Sequence, residues 1–335
     1  MADPSLQSLC CLTTSNRSQQ YQLLELHQSG YYGLSLASAI VGFLGSVYQL
    51  NLRYAAPFPR YQYFNVGLRG NNILFWLALA DTFAAFGLTV RSTGWFLSQN
   101  YWSMHSSNVL HSPMNPLFCS IISGWIQFSY TSSHLWTLVY AIDVRRITFD
   151  QPFAAPVYHI CAWGGAVALC IVGLTLLYLP GYGSSDTFVM LLPNHVVTYF
   201  PLVLTCLACP FLFMSAFRQA EISLTRRYAR YTTTERRLVD SLKLKFILIV
   251  SVFYLCWMPN VVNGLVLWIS WYKLPVTWVL ANWYLMALLN PLQGVFNIML
   301  YRIPKRRQPR SQLQGWFASL QIRKIEPQEE TPLLL

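Results

Sequence analysis

The sequence predicts an all-α membrane protein built as a bundle of seven transmembrane helices. Only 10% of the 335 residues are charged and 54% are hydrophobic, whereas roughly a quarter of a soluble chain is charged. Aromatic residues make up 16% of the chain, which is typical of helices that meet membrane interfaces. The sequence contains seven apolar runs, and each has the length of about 20 residues that a helix needs to cross a bilayer. These observations together predict the bundle.

The seven apolar runs follow one another along the chain and are separated by polar connections. They are Tyr31–Leu50, Asn72–Val90, Leu117–Ile142, Val157–Leu179, Val196–Phe217, Phe246–Ile269 and Val276–Leu300. In lipid every backbone polar group must be paired within its own segment, so runs of this length predict helices. A transmembrane β-barrel would show alternating segments of about ten residues. We therefore assign residues 1–30 to an N-terminal segment, 31–300 to the bundle and 301–335 to a tail.

The basic residues predict which end of the bundle faces the cytosol. The tail and the connections after the first, third and fifth runs carry 20 of the 23 Lys and Arg residues. Because cytosolic connections are enriched in Lys and Arg, the N-terminus is predicted to be lumenal or extracellular and the C-terminus cytosolic. Asn16 heads an Asn-x-Ser glycosylation sequon on the outer side. The net charge of +11 does not predict nucleic-acid binding, because the charges lie between apolar runs.

Asp81 is the only Lys, Arg, Asp or Glu within the seven runs. An ionisable residue inside a membrane helix is costly and is a functional hypothesis by default. It could bind a cation, relay protons or accept hydrogen bonds from neighbouring helices, and the alternative is a protonated carboxyl that only holds helices together. Polar residues at similar depth could be its partners, namely Ser132, Ser133, His134 and Asn290.

Proline interrupts the sixth and seventh runs. Pro259 follows Trp257 by two residues, and Pro291 directly follows Asn290. Proline removes a backbone hydrogen bond and kinks a helix, so a kink beside a bulky aromatic ring is a candidate moving part. The alternative is that these prolines are simply tolerated in membrane helices. The predicted conformational switch comprises Asp81, Ser133, Trp257, Pro259, Asn290 and Pro291.

Four short patterns resemble signatures of rhodopsin-like G-protein-coupled receptors. Cys256–Pro259 resembles their Cys-Trp-x-Pro motif, and Leu77–Asp81 resembles their Leu-Ala-x-x-Asp motif. Asn290-Pro291 resembles the start of their Asn-Pro-x-x-Tyr motif, and Cys119 precedes Asp143 by the 24 residues that the third helix of these receptors shows. The resemblance implies a rhodopsin-like receptor architecture.

The chain also departs from that pattern. Asp143–Arg145 reads Asp-Val-Arg in place of Asp-Arg-Tyr. In the rhodopsin-like receptors the cysteine at the position of Cys119 is bridged to the loop before the fifth helix, but Pro180–His195 contains no cysteine. Cys119 is therefore a disulfide candidate of unknown partner: it is either free or paired with Cys10 or Cys11.

Further blocks resemble the ocular albinism type 1 family of pigment-cell organellar receptors, between about Cys10 and about Tyr301. These blocks are Val90–Trp95, Trp125–Gln127, Tyr140–Asp143, Tyr158–Gly164, Thr234–Arg237 and Leu289–Gly294. The resemblance implies a receptor that signals through a heterotrimeric G protein, with arrestin and clathrin adaptors as further partners. It also implies residence in melanosomes, late endosomes or lysosomes, with a plasma-membrane fraction and a role in organelle biogenesis. Residues expected to face the G protein are Asp143, Arg145, Arg146, Arg236 and Arg237.

The ligand expected from these residues is a small aromatic carboxylate. Monoamine receptors place an acid seven residues after the cysteine of the third helix, and here that residue is Ile126. Arg91 lies at the lumenal end of the second run, where its guanidinium could hold a carboxylate bidentately, with Trp95, Tyr199 and Trp257 as aromatic contacts. The family is associated with tyrosine-like amino acids, so tyrosine or L-DOPA is the expected ligand. The alternative is that Arg91 only reaches lipid headgroups.

The tail carries a predicted sorting signal. Glu329 and Glu330 precede Leu333, Leu334 and Leu335 in an acidic dileucine pattern, for which chance is the alternative. The stretch Leu313–Ile322 predicts either an amphipathic interfacial helix or a disordered basic segment held near anionic lipid.

Two other functions compete with the receptor. One is an organellar transporter or channel, which would need more polar groups than Asp81, and the other is a ligand-independent trafficking protein. The sequence shows no metal-ligand set, catalytic triad or phosphate loop, so neither an enzyme nor a cofactor is predicted.

Overall fold

The computed structural model describes residues 19–54, 65–105, 116–149, 153–178, 187–227, 233–269 and 276–302, and the regular structure of these residues is entirely helical. Each stretch contains one helix of the bundle. Six of them are α1 (Gln19–Tyr54), α2 (Asn65–His105), α3 (Pro116–Thr148), α5 (Thr187–Arg227), α6 (Thr233–Ile269) and α7 (Val276–Arg302). The other, α4, covers residues 155–178 in three parts: Ala155–His159, the π-helical turn Ile160–Gly164 and Gly165–Tyr178.

Each predicted apolar run lies in one of these helices, except that Leu179 falls outside the described residues. The helices are longer than the runs. The sixth run begins at Phe246, for example, whereas α6 begins at Thr233. The preceding residues are rich in Arg, Lys, Leu and Glu, which form helices readily in contact with water. Hydropathy therefore predicts where the helices lie in the bilayer but underestimates their length.

Five of the helices are long and apolar enough to cross a membrane, so the chain is a membrane protein. The apolar spans are Ser29–Asn51, Asn72–Ser98, Ala155–Leu176, Leu192–Gln219 and Phe246–Val266. The helices α3 and α7 are less apolar because they carry many of the polar side chains that the bundle buries. Those of α3 include Ser123, Gln127, Ser129, Thr131, Ser132, Ser133, His134 and Thr137, and those of α7 include Asn282, Asn290, Gln293 and Asn297.

The helices form a closed bundle. Helix α1 packs against α2 and α7, and each later helix packs against the next one in the chain. Helix α3 contacts α2, α4 and α5, which places it inside the bundle. Helix α2 also contacts α7. This arrangement directs the polar faces of α3 and α7 toward a shared interior.

Glycine allows α1 and α7 to approach closely. A Cβ atom on Gly42 would lie 2.0 Å from the carbonyl oxygen of Pro291. A Cβ atom on Gly294 would lie 1.9 Å from the Oγ of Ser46. At Gly42 the close atoms are backbone, so this position requires glycine, whereas a side chain at Gly294 would force the hydroxyl of Ser46 to move. Small residues at helix contacts are the usual way in which membrane helices bring their backbones together.

At two prolines inside helices, the carbonyl left without its backbone donor is bound by a side chain of a neighbouring helix. Pro291 cannot donate to the carbonyl of Ala287, and Ser38 Oγ of α1 donates to that oxygen at 2.6 Å. Pro210 likewise cannot donate to the carbonyl of Cys206, and the hydroxyl of Tyr254 on α6 donates to it at 2.7 Å. Each orphaned carbonyl is thus satisfied away from water, which is what a membrane helix requires.

Candidate functional site

Asp81 lies in the interior of the bundle, and 5% of its surface is exposed. Its two carboxyl oxygens accept hydrogen bonds from two different helices. Ser133 Oγ of α3 donates to Oδ1 at 2.7 Å, and Asn297 Nδ2 of α7 donates to Oδ2 at 3.0 Å. The carboxyl group of α2 therefore joins three helices.

The hydrogen bonds continue from Asp81 to α6. Gln293 Nε2 on α7 donates to Ser133 Oγ at 3.2 Å, and Trp257 Nε1 on α6 donates to Gln293 Oε1. All five side chains are buried. We call Asp81, Ser133, Gln293, Trp257 and Asn297 the interior network. It connects α2, α3, α6 and α7.

Trp257 is completely buried and is held by aromatic rings on two sides. The ring of His134 lies 4.2 Å from it and the ring of Tyr130 lies 5.0 Å from it, both in edge-to-face geometry. Phe253, one turn earlier on α6, is 6.4 Å away. Because packed interiors have few alternative arrangements, displacing Trp257 requires these rings to move with it.

Asn290 lies at a second polar contact between α6 and α7. Asn260 Nδ2 donates to Asn290 Oδ1 at 2.9 Å, and Asn290 Nδ2 donates back to Asn260 Oδ1 at 3.2 Å. Asn282 Nδ2 donates at 2.9 Å to the carbonyl of Pro259, the proline inside α6. The predicted hinge residues Pro259 and Asn290 are therefore both bound across the α6–α7 contact.

Of the partners suggested for Asp81 from the sequence, Ser133 donates a hydrogen bond to its carboxyl group. Asn297 and Gln293 were not identified from the sequence. The sequence does contain a pattern that indicates Asn297. Tyr301 follows Asn297 by four residues, which is the spacing of Asn and Tyr in Asn-Pro-x-x-Tyr, and Ile298 stands at the proline position. The dipeptide Asn290-Pro291 keeps the proline of the motif and is therefore the more obvious match.

Asn290, another suggested partner of Asp81, exchanges hydrogen bonds with Asn260 instead. Ser132 and His134, the remaining two suggested partners, also form no hydrogen bond with Asp81. Both are buried, and their side-chain polar atoms have no hydrogen-bond partner among the described residues. The imidazole of His134 packs on Trp257 instead. His134 therefore belongs to the site as an aromatic contact of Trp257.

The residues expected to bind a ligand divide between two clusters. Arg91 is buried on α2 with its Cζ atom 5.7 Å from the ring centre of Tyr32, and Tyr32 stacks on Trp95 at 4.8 Å. Tyr199 lies in the cluster that contains Trp257, where it contacts His195 and Trp268. Arg91 and Trp95 thus lie together beside Tyr32, and Tyr199 and Trp257 lie together in a different cluster.

The residues expected to face a G protein also separate. Asp143 is buried, and its Oδ1 accepts a hydrogen bond of 2.7 Å from the hydroxyl of Tyr158 at the start of α4. Arg145 is exposed, and the guanidinium of Arg146 lies 4.0 Å from the ring centre of Phe153. Asp143 and Arg146 therefore contact the start of α4, while Arg145 faces outward.

Several predicted residues have no described side chain. Arg236 and Arg237 lie near the start of α6, where only the backbone is described. Cys119 is buried beside Trp95 and Trp283, but Cys10 and Cys11 lie outside the described residues, so its pairing stays a prediction. The other predictions that fall outside the described ranges are the glycosylation site Asn16, the tail stretch Leu313–Ile322, and the sorting residues Glu329, Glu330, Leu333, Leu334 and Leu335. In the part of the chain that the structure describes, no three His, Cys, Asp or Glu residues gather as metal ligands.

Known proteins resemble the whole bundle. The family model "Ocular albinism type 1 protein" matches residues 1–303. Human G-protein coupled receptor 143 is 28% identical over 88% of this chain and 75% of its own length. Cyclic AMP receptor-like protein C of Dictyostelium discoideum is 23% identical over 68% of this chain and 62% of its own length. Human Relaxin-3 receptor 2 is 26% identical over 77% of this chain and 75% of its own length. The chain therefore belongs to the ocular albinism type 1 protein family.

Proposed function

We propose that this chain is a G-protein-coupled receptor with seven membrane crossings, a lumenal or extracellular N-terminus bearing a glycan at Asn16, and a cytosolic C-terminus. Family membership, the named receptors among its relatives and the closed helical bundle support this function. The basic connections support the orientation. In this arrangement Arg91 lies in the lumenal half of the bundle, and Arg145 lies at the cytosolic end.

The interior network is the observation that carries the proposal. A ligand shifts a pre-existing equilibrium only by binding one conformation more tightly than the other. Trp257, buried between Tyr130 and His134, responds to contacts in the lumenal half, and its hydrogen bond to Gln293 leads to Ser133 and Asp81. Because the network connects four helices, a displaced Trp257 changes their relative positions at the cytosolic end.

The cytosolic end would receive a heterotrimeric G protein and, after activation, arrestin. Arg145 is exposed at the end of α3, and Arg236 and Arg237 lie near the start of α6. Asp143 and Arg146 contact the start of α4 and would position this surface. The positive charges of these arginines suit an acidic partner surface.

The ligand that we propose is an aromatic amino acid or related carboxylate, such as tyrosine or L-DOPA. A buried guanidinium is suited to a carboxylate, and Arg91 lies beside the stacked rings of Tyr32 and Trp95. The acid through which amine receptors bind their ligands is replaced by Ile126, which is fully buried and apolar. Tyr199 and Trp257 would contact the ligand from the other side of the bundle.

The decisive experiment reconstitutes the purified full chain in liposomes with a heterotrimeric G protein. We expect L-tyrosine or L-DOPA to accelerate guanine-nucleotide exchange on the G protein. Movement of a solute across the same liposomes, without nucleotide exchange, would instead indicate a transporter or channel. Neither activity, together with normal targeting in cells, would favour a protein whose role is trafficking alone.

We also propose residence in melanosomes, late endosomes or lysosomes, where the receptor would act in organelle biogenesis. The acidic dileucine pattern at Glu329, Glu330 and Leu333–Leu335 is suited to an adaptor groove of the clathrin pathway. We expect alanine at the three leucines to raise the cell-surface fraction, measured by surface biotinylation. Alanine at Leu313 and Leu320, two tail leucines outside the pattern, is the matched control. An unchanged surface fraction in the first variant would contradict this signal.

A further inference from the structure

A groove runs between α5 and α6 at the depth of their apolar spans. It holds about 210 Å³ of empty space, including the part that is open to the outside. Its α5 wall lies in residues 205–213, within the span Leu192–Gln219, and its α6 wall lies in residues 249–254, within the span Phe246–Val266. At 1.5 Å per residue, the α6 wall lies within about 12 Å of the start of that span. The groove is therefore in the half of the bilayer that the start of α6 enters.

Each hydroxyl group in the wall of the groove already donates a hydrogen bond to a backbone carbonyl. Thr205 and, on α3, Thr137 donate to the carbonyl four residues earlier in their own helices, at 2.8 and 2.9 Å. Tyr254 donates to the carbonyl of Cys206 at 2.7 Å. The thiols of Cys206 and Cys209 behave as small apolar groups. The groove therefore offers a ligand only apolar contact, and an apolar cavity stays dry.

The mouth of the groove faces lipid. Val250 is a half-buried wall residue, and exposed apolar side chains adjoin the wall residues in the chain at Leu207, Phe211 and Leu255. All four lie within the apolar spans, where hydrocarbon surrounds the helices. Phospholipids supply that hydrocarbon, so the group that meets the mouth is an acyl chain whose headgroup stays at the interface.

The inner end of the groove reaches the rings that hold Trp257. Phe253 is a wall residue, and its ring centre lies 5.8 Å from that of His134 and 6.4 Å from that of Trp257. Displacing Trp257 requires these rings to move with it, because a packed interior has few alternative arrangements. An occupied groove leaves Phe253 less room to move and so stabilises the position of Trp257.

We propose that the groove is a binding site for one acyl chain of a bilayer phospholipid, and that the bound chain holds Trp257 in place through Phe253. The depth of the groove, its apolar wall and its lipid-facing mouth determine the occupant. The contact of Phe253 with Trp257 determines the consequence. The binding site goes beyond the proposed receptor function and does not depend on it, whereas the effect on signalling rests on that function.

The test reconstitutes the full chain in phosphatidylcholine liposomes that contain a trace of phosphatidylcholine with a photoreactive diazirine near the middle of one acyl chain. After irradiation, mass spectrometry locates the residues that carry lipid. We expect adducts on the buried wall residues Cys209 and Ile249 as well as on the exposed Phe211. Val250→Trp fills the mouth of the groove, so this variant should lose the wall adducts and keep the adduct on Phe211.

The matched control is Leu255→Trp, which places the same ring on the exposed face of the same helix and outside the groove. This control should keep the wall adducts. Cys209→Leu fills the groove from α5 with a smaller change and should lose the adduct on Ile249. The melting temperature shows that each variant is folded. Because a filled groove restrains Phe253 permanently, ligand-stimulated nucleotide exchange should fall in Val250→Trp and stay at the wild-type rate in Leu255→Trp.

Adducts confined to exposed residues such as Phe211 would overturn the binding site, and so would equal yields of wall adducts in Val250→Trp and Leu255→Trp. A photoreactive fatty acid that labels the wall where the phospholipid does not would show that the occupant is a different lipid. Stimulated exchange at the wild-type rate in Val250→Trp would overturn the link to Trp257. Wall adducts in a wild-type protein that stimulates no exchange would instead contradict the receptor function and leave the binding site standing.

Discussion

Replacing Asp81 by Asn is expected to change basal and ligand-stimulated nucleotide exchange by about tenfold while the protein still folds. The carboxylate accepts from both Ser133 and Asn297, and an amide has only one oxygen with which to accept. One of the two hydrogen bonds is therefore lost, at a cost of about 1–3 kcal/mol for the group left unpaired. If this cost applies in only one of two conformations, the ratio of their populations changes about tenfold. Nucleotide exchange and the melting temperature are measured on the same preparation.

An exchange of the two side chains provides the control. In the double variant Asp81→Asn with Asn297→Asp, an amide again faces a carboxylate between α2 and α7. We expect this double variant to recover much of the wild-type exchange rate, which would show coupling between the two positions. If Asp81→Asn exchanges nucleotide at the wild-type rate with and without ligand, then Asp81 only holds helices together.

Much of the fold could be predicted because the bilayer leaves the chain few choices. Apolar runs such as Asn72–Val90 and Phe246–Ile269 must be helical in lipid, and both lie within helices of the structure. The ends of the helices could not be predicted in the same way. Water satisfies the backbone outside the bilayer, so hydropathy does not determine where α6 begins.

The candidate site was only partly predictable for a different reason. Asp81 was recognisable because a charge in a membrane helix is rare, and Ser133 because it lies at the same depth. Depth along a helix follows from sequence position, but the direction in which a side chain points depends on how the helices are rotated in the bundle. Tyr199 was therefore predicted to contact a ligand held by Arg91, whereas the structure puts it in the Trp257 cluster. The contact of Asn297 with Asp81 depends on the same rotation.

Gln293 is a member of the interior network that the sequence motifs do not indicate. Its amide oxygen accepts from Trp257 and its amide nitrogen donates to Ser133 at 3.2 Å. The amide offers an acceptor and a donor at once, and asparagine, which has the same amide, is one methylene shorter. The residue therefore joins the aromatic contacts of Trp257 to the carboxyl of Asp81.

We expect Gln293→Leu to reduce ligand-stimulated nucleotide exchange by tenfold or more while acid binding near Arg91 persists. Leucine is smaller and leaves both Trp257 Nε1 and Ser133 Oγ without this partner, and two lost hydrogen bonds of about 1 kcal/mol each exceed a tenfold effect. Ligand affinity and stimulated exchange are measured on the same reconstituted protein, so that a loss of coupling is separated from a loss of binding.

The matched control for Gln293 is Gln49→Leu. Gln49 of α1 is also a buried glutamine, and both of its amide atoms lack a hydrogen-bond partner among the described residues. Removing its amide breaks no hydrogen bond of the interior network, so this variant should fold and signal like the wild type. Equal losses of signalling in both variants would show that any buried glutamine in this bundle matters for folding alone. Stimulated exchange at the wild-type rate in Gln293→Leu would show that Trp257 acts on the cytosolic end by another route.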